Sequence, residues 1–179
     1  MNYRLALILV GLAALTRVLP HPDNFTAFGA MGLFAGAYLR PVWLRFAAPF
    51  IALFLSDLYI NNVVYAQYYD HFVWIGSLWT YGAFALVTVF GRLFLSGRVS
   101  ALRVPVAAAL GAFLFFAISN FGVWFGSGMY PHTGAGLAAC YAAGLPFLDN
   151  TIMSDLAYSA ALFGVYEWAL RVRGAKQTA

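Results

Sequence analysis

Positive charge returns at intervals along this chain, and long apolar runs separate the returns. Arg4 opens it; Arg40 and Arg45 form one cluster, Arg92, Arg98 and Arg103 a second, and Arg171, Arg173 and Lys176 a third. The intervening connections, roughly residues 58 to 72 and 126 to 150, hold no Lys or Arg and carry Asp, Asn, His, Tyr and Pro instead. Basic residues on every second connection are what the positive-inside bias leaves on a protein that crosses a membrane several times. The pattern predicts an all-α integral membrane bundle of six transmembrane helices with both termini cytoplasmic.

Composition excludes the other broad classes. Residues are 63% hydrophobic and only 9% charged, whereas a soluble domain carries about 25% charged residues. Six spans of ~20 residues would use ~120, so the 179 residues make one transmembrane domain over 1–179 with no separate soluble unit. The basic pI near 9.4 does not point to nucleic acid, because no basic run is interleaved with aromatics. The cations read instead as anchors against anionic headgroups. A single Cys allows no internal disulfide and no Cys-rich metal site.

The first apolar run, Leu5 to Leu15, has no small-x-small cleavage site after it and reads as a retained helix. Pro20 and Pro22 stop it. A second helix is expected from about Thr26 to Leu39, with Gly32 and Gly36 at the spacing that lets another backbone approach closely. A third is expected from Trp43 to Leu58, with Ala48 and Ala52 four apart and a kink at Pro49. The fourth should run from about Phe72 to Phe90, the fifth from Val104 to Phe125 and the sixth from Thr151 to Leu170. Glu167 and Arg171 stand at i,i+4 and are expected to pair. Asp149, Asn150, Thr151 and Ser154 would cap the sixth helix.

The stretch from Gly126 to Asn150 is long for a connection. Its glycines and prolines argue against a continuous helix, and Leu137 to Leu145 is too short to cross a bilayer. A re-entrant or lid-like outer segment between the fifth and sixth helices is expected.

Polar groups not needed for cytoplasmic anchoring collect in the outer half. Arg17 is the one cation placed against the bias, and His21 and Asn24 follow it. Asp57 ends the third helix, Asn120 and Trp124 lie in the fifth, Tyr130 and Cys140 in the long connection, and Asp155 in the sixth. An ionised group within a span costs ~3 kcal/mol and faces a cavity or a partner. Two arrangements satisfy Arg17, Asp57, Asn120 and Asp155 together: a polar cup open to the outside, or a closed network that pins the helices. Arg17 would either hold an anionic solute group or pair with Asp23 or Asp57. His21, His71 and His132 lack metal-ligand spacing, so no metal site is expected. Cys140 is a small buried hydrophobe or, in a narrower variant, a soft ligand to a cobalamin-type solute.

These residues also carry a resemblance. Leu19-Pro20-His21-Pro22-Asp23-Asn24-Phe25-Thr26 with Gly29-Ala30 resembles the opening signature of a bacterial family of small membrane proteins regarded as transport proteins of unknown substrate. Ser56-Asp57, Asn120-Phe121-Gly122-Val123-Trp124, Tyr130-Pro131, Gly136-Leu137, Cys140-Tyr141 and Pro146-Phe147 resemble its later motifs, over nearly the full length. That family is similar in size and topology to the substrate-binding S-components of energy-coupling-factor transporters, six-helix proteins with an outward cup. The Ala-x-x-x-Ala by which many S-components meet their coupling protein is replaced here by Gly11 and the Ala13-Ala14 pair.

The resemblance implies a protein of the bacterial inner membrane that takes up a small solute, such as a vitamin or related micronutrient. Its partners would be the lipid bilayer, the solute, and an energising coupling protein or other membrane subunits, with no nucleic acid. The cup would be lined by Arg17, His21, Asn24, Asp57, Asn120, Trp124, Tyr130, Cys140 and Asp155. No GxxxxGK[ST], HExxH or Ser/His/Asp order stands in the chain, so neither an enzyme nor a cofactor is expected. The alternative is a structural or assembly subunit of a larger membrane complex, docking through the small-residue stripes of helices two and three.

Overall fold

The computed structural model describes residues 3–177, and side chains as far as Arg173. Lys176, expected as a cytoplasmic anchor, lies outside the described side chains. Among the described residues the chain is all-α, with no strand: α1 (Tyr3–Leu15), α2 (Phe28–Tyr38), α3 (Val42–Tyr59), α4 (Leu78–Leu95), α5 (Arg103–Gly126) and α6 (Gly134–Gln177). One π-helical turn, Ile60–Val64, prolongs α3, and a 3₁₀ turn, Ala66–Tyr68, follows it. Three segments are long and apolar enough to cross a membrane: Val42–Val64, Leu78–Leu95 and Arg103–Gly126. The helices α1 and α2 are apolar but shorter, at 13 and 11 residues.

The shortest helix lies innermost. All but two residues of α2 are buried, and its glycines are the reason it can sit there. A Cβ at Gly32 would stand 2.7 Å from the Phe84 ring, and one at Gly36 would stand 2.8 Å from the backbone nitrogen of Arg92. The stripe expected to serve as an external docking face is therefore consumed inside the chain, against α4. Ala48 and Ala52 of α3 likewise pack against the core.

Charged side chains from other helices finish both ends of α2. Its N-terminal flanking residue, Ala27, offers no side-chain cap. Asp155 of α6 supplies one instead, accepting from the Ala30 amide at 2.9 Å. At the other end Arg45 of α3 donates to the Leu39 and Arg40 carbonyls at 3.0 and 3.1 Å. An anion at the N-terminus and a cation at the C-terminus both oppose the helix macrodipole. Arg45 is buried, so it does more than anchor the cytoplasmic edge as its charge cluster implied.

Below this lies an aromatic cluster of Phe34, Tyr38, Phe163 and Tyr166, with Phe34 edge-on to both Phe163 and Tyr166 at 5.4 Å. The Tyr38 hydroxyl donates to Glu167. That contact replaces the expected Glu167–Arg171 pair: a partner from α2, packed tightly beside α6, outcompetes one on Glu167's own helix.

Helices four and six depart most from expectation, ending at Leu95 and Gln177 instead of Phe90 and Leu170, and their starts differ further. The fourth helix starts at Leu78 rather than Phe72, because Asn62 ties the preceding segment down. Its side-chain amide donates to the Leu58 and Val73 carbonyls, and its oxygen accepts from the Val73 amide, all within 2.9 Å. Ser77 then caps α4. The larger correction concerns α6, one helix of 44 residues with Pro146 inside it. The connection before it spans only 127–133. Asp149, Asn150, Thr151 and Ser154 are consequently interior to α6 and do not cap its start.

Candidate functional site

The turn after α1 carries Arg17 toward the end of α3. Its Nη1 lies 2.7 Å from Asp57 Oδ1 and donates to Ser56 Oγ at 2.8 Å. The guanidinium also sits over the Phe28 ring, 5.2 Å from its centroid. Asp57 is 9% exposed and Arg17 19%, so each charge is largely withdrawn from water and depends on the other. The Tyr81 hydroxyl of α4 faces the same carboxylate.

Residues 18–27 then cross toward α6. Asn24 takes a left-handed backbone at φ 59°, which Asn tolerates better than most residues. The segment is pinned from α6: Asn150 donates to the Asp23 carbonyl at 2.9 Å, and Ser154 to the Asn24 carbonyl at 3.4 Å. The two prolines end α1 and shape this crossing.

Beneath it is a cavity of about 740 Å³, with a second of about 350 Å³ beside it. Asn24, Phe115, Phe147 and Thr151 belong to both linings, so the two are lobes separated by a thin wall. Four helices and the segments after α1 and α3 reach the larger lobe: Arg17 after α1, Phe28 in α2, Ile60 beyond α3, Thr80 in α4, Ser119 in α5 and Thr151 in α6. A volume in the 300–1,000 Å³ range is typical of small-molecule sites.

The expected site residues divide between the lobes. Arg17, His21, Asn24 and Asp155 line the larger one, and Asn24, Asn120, Tyr130 and Cys140 the smaller. Asp57 lines neither; it stands behind Arg17. Trp124 lines neither as well, because its indole donates to the Pro131 carbonyl at 3.0 Å and its ring packs against His132. His21 is exposed at the rim, its ring nitrogens facing the Pro22 and Arg17 carbonyls. Asp155 is only 1% exposed; Oδ1 is held by Ala30, while Oδ2 makes no well-aligned hydrogen bond. A side chain at Gly29 would overlap this carboxylate, so only glycine admits Asp155 so close to α2.

Phe115, Ser119, Phe147 and Thr151 were not anticipated. Phe115 and Ser119 are one turn apart on α5, and Phe147, Thr151 and Asp155 follow at i,i+4 on α6. That second row is visible only once 134–177 is read as a single helix.

Residues 1–177 match the pattern described as Family of unknown function (DUF6580). The chain belongs to this family. No curated protein and no solved structure matches it. In this member the early turns of α6 lie on α5 and wall one side of the smaller lobe. Gly144 meets Phe116 and Asn120, the Tyr141 hydroxyl donates to the Ala117 carbonyl at 2.5 Å, and Cys140 Sγ to the Asn120 carbonyl at 3.4 Å.

Among the described residues no three His, Cys, Asp or Glu side chains gather in a way that could hold a metal ion. Asp70 and His71 meet at 2.7 Å on the exposed loop before α4, and this contact holds the Asp70 carboxyl below the usual carboxylate range. A pair so exposed adds little stability.

Cys140 is 2% exposed. In folded protein it is expected to react with a maleimide at least about tenfold more slowly than in denatured protein, since a thiol must be both ionised and reachable. Equal rates by mass spectrometry would show that the α5–α6 contact opens freely.

Proposed function

We propose that this chain is a six-span protein of the bacterial inner membrane that binds a small solute from the non-cytoplasmic side, as the recognition component of an uptake system. The bilobed cavity walled by α2, α4, α5, α6 and the segments that follow α1 and α3 carries this reading. The run of the helices supports the orientation. Phe28 of α2, Ile60 beyond α3, Thr80 of α4 and Ser119 of α5 lie toward one end of their helices, and Thr151 toward the start of the part of α6 after Pro146. Arg40, Arg45, Arg92, Arg103 and Arg171 lie toward or just beyond the other ends. Arg17 alone shares the cavity end, and Asp57 cancels its charge. The bias acts on loop cations near span ends, so the cavity faces away from the cytoplasm.

Helix length is no obstacle. At 1.5 Å per residue α2 extends only about 16 Å, yet it is enclosed by other helices and need not bridge the lipid unaided. The arm of α6 from Gly134 to about Leu148 takes the covering role foreseen for a lid, in helical form. Pro146 marks the place where a long helix can bend between this arm and its membrane-crossing part. With no nucleotide-binding motif in the chain, uptake draws on an energising partner or an ion gradient. The assembly-subunit reading loses its docking face, because the stripe of α2 is buried within the chain.

The test compares wild type with Thr151→Trp, which fills the wall shared by both lobes. Protein is purified in mild detergent, denatured, and its released small molecules are measured by mass spectrometry. Wild type is expected to release one small molecule near stoichiometrically and Thr151→Trp little or none. Equal release from both, or no release from wild type together with no solute that raises its melting temperature, would remove the proposal.

A further inference from the structure

Resting on the uptake reading, we infer that the larger lobe selects a small organic cation, a protonated amine carried on a flat or apolar body. The sequence alone left Arg17 either to hold an anionic group or to pair with Asp23 or Asp57. In the structure Asp57 already occupies Arg17 at 2.7 Å, and Phe28 covers the guanidinium face.

The remaining formal charges are negative. Arg17, Asp23 and Asp155 line the lobe, and Asp57 backs Arg17, giving one cation against three carboxylates. The N-terminus of α2 offsets about half a charge, which leaves the balance negative.

A single atom gives the lobe its preference for a donor. Asp155 Oδ2 is buried and makes no well-aligned hydrogen bond, with the Gly29 amide beside the carboxylate, in a residue that lines the cavity. Buried polar atoms are seldom left so. A ligand N–H would complete this carboxylate, whose other oxygen is fixed by the Ala30 amide. Gly29 holds it in place, since any Cβ there would displace it. Phe115 and Phe147 supply apolar wall for the body of the ligand and aromatic faces favourable to a cation. The volume, about 740 Å³, far exceeds what a bare metal ion needs.

The test uses three probes of one shape and different charge: tryptamine, tryptophol and indole-3-acetate, titrated onto wild-type protein in nanodiscs. Tryptamine is expected to bind at least about tenfold tighter than indole-3-acetate, a modest share of the attraction between opposite charges at effective dielectric ~20, with tryptophol between them. Asp155→Asn should shrink that ratio. Asp23→Asn, on an exposed loop where folding is not at risk, should shrink it as well. Asp57→Asn, which frees Arg17, should raise the affinity for indole-3-acetate. Equal binding of all three probes, tighter binding of the carboxylate, or a ratio untouched by Asp23→Asn and Asp155→Asn would overturn the inference and leave the uptake reading standing. Binding of none of the three would overturn the inference too, while the uptake reading falls only to the release comparison of wild type with Thr151→Trp.

Discussion

Asp57→Ala is expected to destabilise the protein by about 3–5 kcal/mol, the usual consequence of stranding one member of a largely buried ion pair. Arg17 would keep Ser56 and the Phe28 face but lose its counter-charge. The double variant Arg17→Ala, Asp57→Ala should recover part of that loss, because it removes the uncompensated cation. Thermal unfolding in detergent closes the cycle, and a coupling of about 1–3 kcal/mol is expected for residues in direct contact. Strictly additive losses would mean that the two side chains do not act as a pair.

Gly36→Val is expected to be at least as damaging, by more than about 3 kcal/mol. Its Cβ would fall on the backbone of Thr88 and Arg92, with the Gly91 carbonyl carbon 3.1 Å away. Backbone cannot rotate aside as a side chain can, so α2 and α4 would have to separate, and with them the packing of Leu33 against Gly91. Gly11→Val is the control. Nothing lies within 4 Å of its Cβ position, and an exposed substitution there should stay within about 0.5 kcal/mol. Similar losses at the two positions would contradict the central placement of α2.

The apolar runs between the Arg clusters marked out the helices because a long apolar segment needs its backbone paired within a helix wherever it is withdrawn from water. The end of the bundle where Arg17, Asp57, Asn120 and Asp155 would gather was readable for a related reason. Costly groups at one depth on several helices need partners or a cavity, and the four divide between the two. Arg17 and Asp57 form a closed pair, whereas Asn120 and Asp155 face cavities. Which carboxylate would take Arg17 depended on how α1 and α3 pack, which no local pattern encodes.

The long helix was misread because its glycines looked like breakers. Gly144 is there so that Asn120 and Phe116 can lie against it, and Gly136 so that the Pro131 carbonyl can. In lipid or against another helix a small residue is a packing device. A proline is also tolerated where neighbouring groups satisfy the freed carbonyl. Missing that helix hid Phe147 and Thr151, and with them the wall between the two lobes. Trp124 was placed correctly near the cavity end of α5, yet its indole had a nearer partner in Pro131.

The most direct measurement places a single cysteine at Thr151 on a Cys140→Ala background and labels it in intact spheroplasts with a membrane-impermeant thiol reagent. Labelling from outside the cell, slowed when the molecule recovered from wild-type protein is added back, is the expected result. A Thr151→Cys protein that labels only from the cytoplasmic side of inverted vesicles would contradict an outward-facing binding cavity.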